Sequence, residues 1–82
     1  MTVPLTIMGI MVGHRAEIAP EMQEVITKHG SDILSRMGIP SPSKDKGLIT
    51  LILEAETELV HEFHKELEAI PGITVQTISF QQ

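Results

Sequence analysis

Cysteine, tryptophan and tyrosine are all absent from this chain, and phenylalanine occurs only at Phe63 and Phe80. Without cysteine there is no disulfide, no thiolate metal site and no thiol nucleophile. Two aromatic rings are too few for a platform that stacks nucleic-acid bases. Positive charge is also scarce. Six Lys and Arg stand against eleven Asp and Glu, for a net charge of −5, and the cations are scattered from Arg15 to Lys65 without a run. Direct nucleic-acid binding needs a concentrated positive footprint, so it is not expected. No apolar run approaches the ~20 residues needed to span a bilayer. The stretch from Met1 to Val12 is apolar but lacks a basic leader and continues into a strand pattern, unlike a secretory signal. No membrane partner is expected, and the expected location is the cytoplasm.

What remains is a chain of 82 residues, 41% of them hydrophobic. That length makes one domain, residues 1–82, and that composition folds. A domain this small buries a modest share of its surface and is often marginal alone. With disulfides excluded, self-association is the common remedy.

The patterning divides the chain cleanly. Leu5–Val12 is rich in β-formers and apolar on both faces, which predicts a first strand. Helical spacing follows over about 16 to 29, with Ile18, Met22, Val25, Ile26 and His29 on one side. Pro20 is expected in the first turn, where proline is tolerated, and Gly30 as a positive-φ residue closing the helix. Ile33–Ile39 reads as strand two, and Pro40–Gly47 as a hairpin loop. Leu48–Leu53 reads as strand three. Glu56–Ile70 carries Leu59, Val60, Phe63, Leu67 and Ile70 on one stripe, a second helix that Thr57 or a neighbour would cap. Pro71-Gly72 stops it, and Ile73–Phe80 alternates as strand four.

The order β-α-β-β-α-β predicts an α+β, ferredoxin-like domain. It has a four-stranded antiparallel sheet with both helices on one face. The face without helices should then be polar in a monomer. It is not. Strand one offers Leu5, Ile7 and Met11 to one side and Met8, Ile10 and Val12 to the other; strand three sets Leu48 and Ile52 against Ile49, Leu51 and Leu53. A second subunit over the bare face is expected, as a homodimer or homotetramer.

Three segments carry a family resemblance: His29-Gly-Ser-Asp-Ile-Leu-Ser-Arg-Met-Gly-Ile-Pro40, Gly47-Leu-Ile-Thr-Leu-Ile-Leu53, and Ile70-Pro-Gly-Ile-Thr-Val-Gln-Thr77. With Arg15, Ile33, Arg36, Gly38, Pro40, Gly47 and Gly72 at fitting positions, the chain resembles the putative regulators of the iron-only hydrogenase system. Members are stand-alone ACT-like domains, similar in fold to the C-terminal domain of nickel-responsive repressors. The resemblance implies a small ligand, often an amino acid, held at subunit interfaces near the loop after strand one, here Val12–Arg15. The repressor relatives hold nickel through histidines between subunits, and their ligand pattern does not map onto this sequence.

The residues themselves give five groups to weigh. Arg36 lies on strand two; by alternation it shares a face with Leu34 and Gly38, while Ile33, Ser35, Met37 and Ile39 point away. It is either a solvated or ion-paired strand arginine, or a fork for an anionic ligand. Gly13, His14 and Arg15 precede or open the first helix, where free amides and the helix dipole favour an anion. The alternative there is a solvated loop. His61 and His64 stand three apart on the second helix, and His-Glu-Phe-His is not the zincin motif. They read as a solvated pair, or as weak metal ligands completed by another chain. His29 reads as a helix C-terminal histidine. The methionines Met8, Met11, Met22 and Met37 read as core or interface filling.

The expectation is a non-catalytic regulatory domain. It would bind a small anionic ligand between subunits through Gly13, His14, Arg15 and Arg36, and act through a partner protein. The residues name no cofactor and no catalytic group. A nickel- or zinc-binding module and a small acylphosphatase-like enzyme are the alternatives.

Overall fold

The computed structural model describes the backbone of residues 3–13, 15–40 and 46–82, and the side chains of those residues except 15–19 and 40. Strand β1 (Leu5–Gly13) leads into helix α1 (Arg15–Lys28) and a short 3-10 turn, Gly30–Asp32. Strands β2 (Ile33–Pro40) and β3 (Lys46–Glu54), helix α2 (Thr57–Glu68) and strand β4 (Ile73–Phe80) follow. The strands form one sheet in the order β2-β3-β1-β4, and every neighbouring pair is antiparallel. This is the expected ferredoxin-like α+β arrangement.

Alternation decides which face carries the core. Met8, Ile10 and Val12 of β1, Leu51 and Leu53 of β3, and Ile73 and Val75 of β4 are buried. They form one cluster with Met22 and Ile26 of α1 and with Val60, Phe63 and Leu67 of α2. Burial of an aliphatic side chain contributes about 1.5–3 kcal/mol, so this single layer dominates the stability.

Among the described residues, the opposite face carries no helix. The register sets Ile7 of β1 against Ile52 and Ile78, Gly9 against Thr50 and Gln76, and Met11 against Leu48 and Thr74. Met11, Met37, Ile39, Leu48, Ile78 and Phe80 are all exposed there, at 38% to 65% of their area. The expectation that both faces of the sheet are apolar holds.

Four local expectations are corrected. Gly30 opens the 3-10 turn, and the positive φ is at Gly72 instead, at 90°. There Ile73 N–H donates to the Ile70 carbonyl at 3.2 Å. Proline at the second position and a positive-φ glycine at the third make this a type II turn. Thr57 is the first residue of α2, not its cap; Glu56 takes the capping position without a side-chain hydrogen bond. Pro20 is the sixth residue of α1 and so lies beyond the first turn. Ile33 lies opposite Leu53 and packs against the core, because a bulge between Ile33 and Ser35 resets the alternation.

Candidate functional site

The loop end of β1 is fixed by the turn that precedes β4. Gly13 N–H donates to the Gly72 carbonyl at 2.9 Å, tying the end of β1 to the type II turn before β4. Helix α1 opens two residues later at Arg15. Its first amides have no intrahelical acceptors, and its dipole puts partial positive charge at this corner. His14 and the Arg15 side chain lie outside the described residues.

Arg36 sits elsewhere. It lies opposite Leu51, which in turn lies opposite Met8; both of those are fully buried on the helix side. Arg36 is thus on the helix side of the sheet, yet it is exposed, as is every residue from Leu34 to Ile39. Strand β2 extends past the helical cover. Arg36 makes no hydrogen bond or ion pair among the described residues. Gly13 is five residues along β1 from Met8, and β1 is two strands from β2. At 3.4 Å per residue and 4.8 Å per strand, Arg36 and Gly13 are about 20 Å apart. One chain therefore does not bring Arg36 and the Gly13–Arg15 corner into a single pocket.

On the bare face, a groove of about 360 Å³ is lined by Gly9, Met11, Leu48, Thr74 and Gln76. Gly9 makes it, since a side chain is missing midway along an otherwise apolar strand. The signal was present in the sequence, because a glycine inside a strand often marks close approach of another group.

The third cluster joins the helices. The Glu66 carboxylate meets Lys28 Nζ at 2.7 Å and His29 Nε2 at 2.8 Å. His29 is buried at 8% exposure. The Lys28 hydrogen bond, aided by that of His29, holds the Glu66 carboxyl below the usual carboxylate range; the Glu66 hydrogen bond raises Lys28 above its ordinary value. Sequence reasoning placed His29 at the helix end but missed Glu66 as its partner.

His64 meets Glu68 at 3.2 Å one turn on, and His61 is exposed. Among the described residues no group of three His, Asp or Glu side chains is placed to hold a metal ion. No helix is long and apolar enough to cross a membrane, among those residues.

The TM1266-like model, described as "Iron-only hydrogenase system regulator, putative", matches residues 4–77. The chain belongs to this family. The resemblance carried by the His29–Pro40, Gly47–Leu53 and Ile70–Thr77 segments therefore holds. The structure of uncharacterized protein TM1266 from Thermotoga maritima superposes with a TM-score of 0.88 at 25% identity, covering 94% of this chain and 96% of that one. More distant structures share the fold alone. SnoaB, a cofactor-independent oxygenase from Streptomyces nogalater, gives a TM-score of 0.60 at 11% identity, covering 98% and 93%. CPII from Thiomonas intermedia K12, bound to ADP, AMP and acetate, gives 0.51 at 17% identity, covering 100% and 93%. No curated protein matches the chain.

Proposed function

We propose that this regulator-family domain is non-catalytic and senses a small anionic ligand, which it holds between subunits of a homo-oligomer in the cytoplasm. The carrying observation is the bare sheet face. Six large apolar side chains are exposed on it around the Gly9 groove, and such a patch marks an interaction surface. Gly13, His14 and Arg15 supply one anion contact at the start of α1, and Arg36 supplies a second. The gap of about 20 Å between them, with Arg36 on the helix side of the sheet, means that a shared ligand would take Arg36 from a subunit other than the one seated on the bare face. CPII, which shares the fold, is bound to ADP, AMP and acetate; these are all anions, the class an arginine fork recognises. With no concentrated basic surface, the domain acts through a partner protein. Ligand binding shifts it between states only by differential affinity.

Native mass spectrometry tests this reading. A dimer or tetramer that retains a small molecule, or takes one up from ADP, AMP or acetate, supports it. A monomer that binds none of them overturns it.

A further inference from the structure

We propose that the bare sheet face is the seat of a second copy of this chain, packed face to face about a two-fold axis that lies in the interface and runs across the strands. This rests on the oligomeric reading above and adds the register.

The argument is charge placement along β3. Lys46, Leu48, Thr50, Ile52 and Glu54 all face the bare side, because they lie opposite Gly13, Met11, Gly9, Ile7 and Leu5. The face thus carries a cation at one end, an anion at the other and apolar side chains between. Both Lys46 and Glu54 are exposed. Thr50 and Gly9 mark the midpoint, with each charge four residues away.

Two kinds of two-fold axis can bring such a face onto itself. An axis parallel to the strands keeps every residue at its own level. It sets the Lys46 ends together and the Glu54 ends together, which like charges oppose. An axis across the strands through the Thr50 level reverses them. Lys46 then meets the partner's Glu54, and Glu54 meets the partner's Lys46, so one contact counts twice. Only the second orientation is electrostatically self-complementary.

The apolar relief fits the same orientation. Reversal about the Thr50 level carries the Ile52–Ile7–Ile78 row onto the Leu48–Met11–Thr74 row. The protruding Ile78, 59% exposed, lands at the groove beside Thr74 and Met11. Each of the two grooves receives one such isoleucine. Aligned sheets pack about 30° apart, which keeps these levels in contact near the axis.

The area is adequate. Four strands at 4.8 Å spacing and eight residues at 3.4 Å make a face of about 500 Å² in projection. Corrugation by side chains raises the accessible area toward the about 800 Å² per partner typical of a stable interface.

Sedimentation equilibrium on the full chain tests the register, with circular dichroism as the folding check. Lys46→Glu replaces both attractive pairs by repulsive ones and should weaken self-association by about ten-fold or more at low salt. Lys46→Glu with Glu54→Lys restores the pairing in reversed sense and should return the constant to within about three-fold of the parent. Ile78→Lys should abolish association. Association unaffected by Lys46→Glu, or weakened but not rescued by the double reversal, overturns this register and leaves the oligomeric reading standing. A parent protein that stays monomeric at high concentration overturns both.

Discussion

The imidazole of His29 stacks on the ring of Phe63, with centroids 4.3 Å apart and planes 20° from parallel. The same imidazole bonds Glu66, less than one helical turn beyond Phe63 on α2. The end of α1 is therefore held to α2 on two sides, one apolar and one charged. Phe63→Ala removes the ring and opens the core, and should cost about 3–5 kcal/mol. Urea unfolding measures it, and a loss under 1 kcal/mol would contradict this account.

The charged side gives a pH signature. Glu66 has its folded pKa lowered by Lys28 and His29. Its stabilisation is thus present above the ordinary carboxylate range and is lost as pH falls through the folded value. Lys28 is raised, so its share is present below its ordinary range and is lost as pH rises through the folded value. Glu66→Gln should lower the melting temperature most between about pH 5 and 10, with the gap closing beyond either end. Solvent screens the pair, because Glu66 is 27% and Lys28 59% exposed, so the effect should be smaller than that of Phe63→Ala. A gap that is constant with pH would refute the assignment.

The two glycines near helix ends should behave oppositely. Gly72 has φ of 90°, so Gly72→Ala places a Cβ in the left-handed region at a cost of about 1–2 kcal/mol. At Gly30 a Cβ would meet nothing within 4 Å. Gly30→Ala should be neutral or stabilising by up to about 1 kcal/mol, through the unfolded chain. Equal effects in thermal unfolding would show that the turn assignment is wrong.

Pro20 lacks the N–H that would bond the carbonyl of residue 16 within α1. Pro20→Ala restores that bond at an exposed position. It should stabilise the fold by about 1–3 kcal/mol. A fall in the urea midpoint would count against the helix beginning at Arg15.

Arg36→Ala separates stability from recognition. The side chain is exposed and without a partner among the described residues, so unfolding should shift by no more than about 0.5 kcal/mol. Anion uptake, read by calorimetry with ADP, should fall. Undiminished uptake would remove Arg36 from the proposed contacts.

The near-continuous apolar, β-forming runs of β1 and β3 and the alternation of β4 made the sheet legible, because turn residues bound each strand. The stripe on α2 was equally plain, and Val60, Phe63, Leu67 and Ile70 are buried as it implied, though Leu59 remains 40% exposed. What stayed hidden depends on neighbours in space. The bulge at Leu34 leaves no mark in the alternation of β2 itself and shows only against β3. Gly30 and Gly72 both follow helices, and only the i to i+3 bond from Ile73 to Ile70 identifies which one needs positive φ. The His29–Glu66 contact joins residues 37 apart in sequence, and no local periodicity encodes it. The candidate anion site was legible as residue types alone; the distance between Arg36 and Gly13 follows from the strand order.

Strand β2 closes one edge of the sheet, its outer backbone groups unpaired by any further strand among the described residues, and it shows Leu34, Met37 and Ile39 to water. Such an edge is a template for runaway strand addition. Arg36 at its middle, the bulge at Leu34 and Pro40 at its end each spoil that template: one by charge, one by broken register, one by a missing donor. The arginine proposed above as an anion contact thus also guards against fibre growth, so a substitution such as Arg36→Val would leave an amyloid-prone seam.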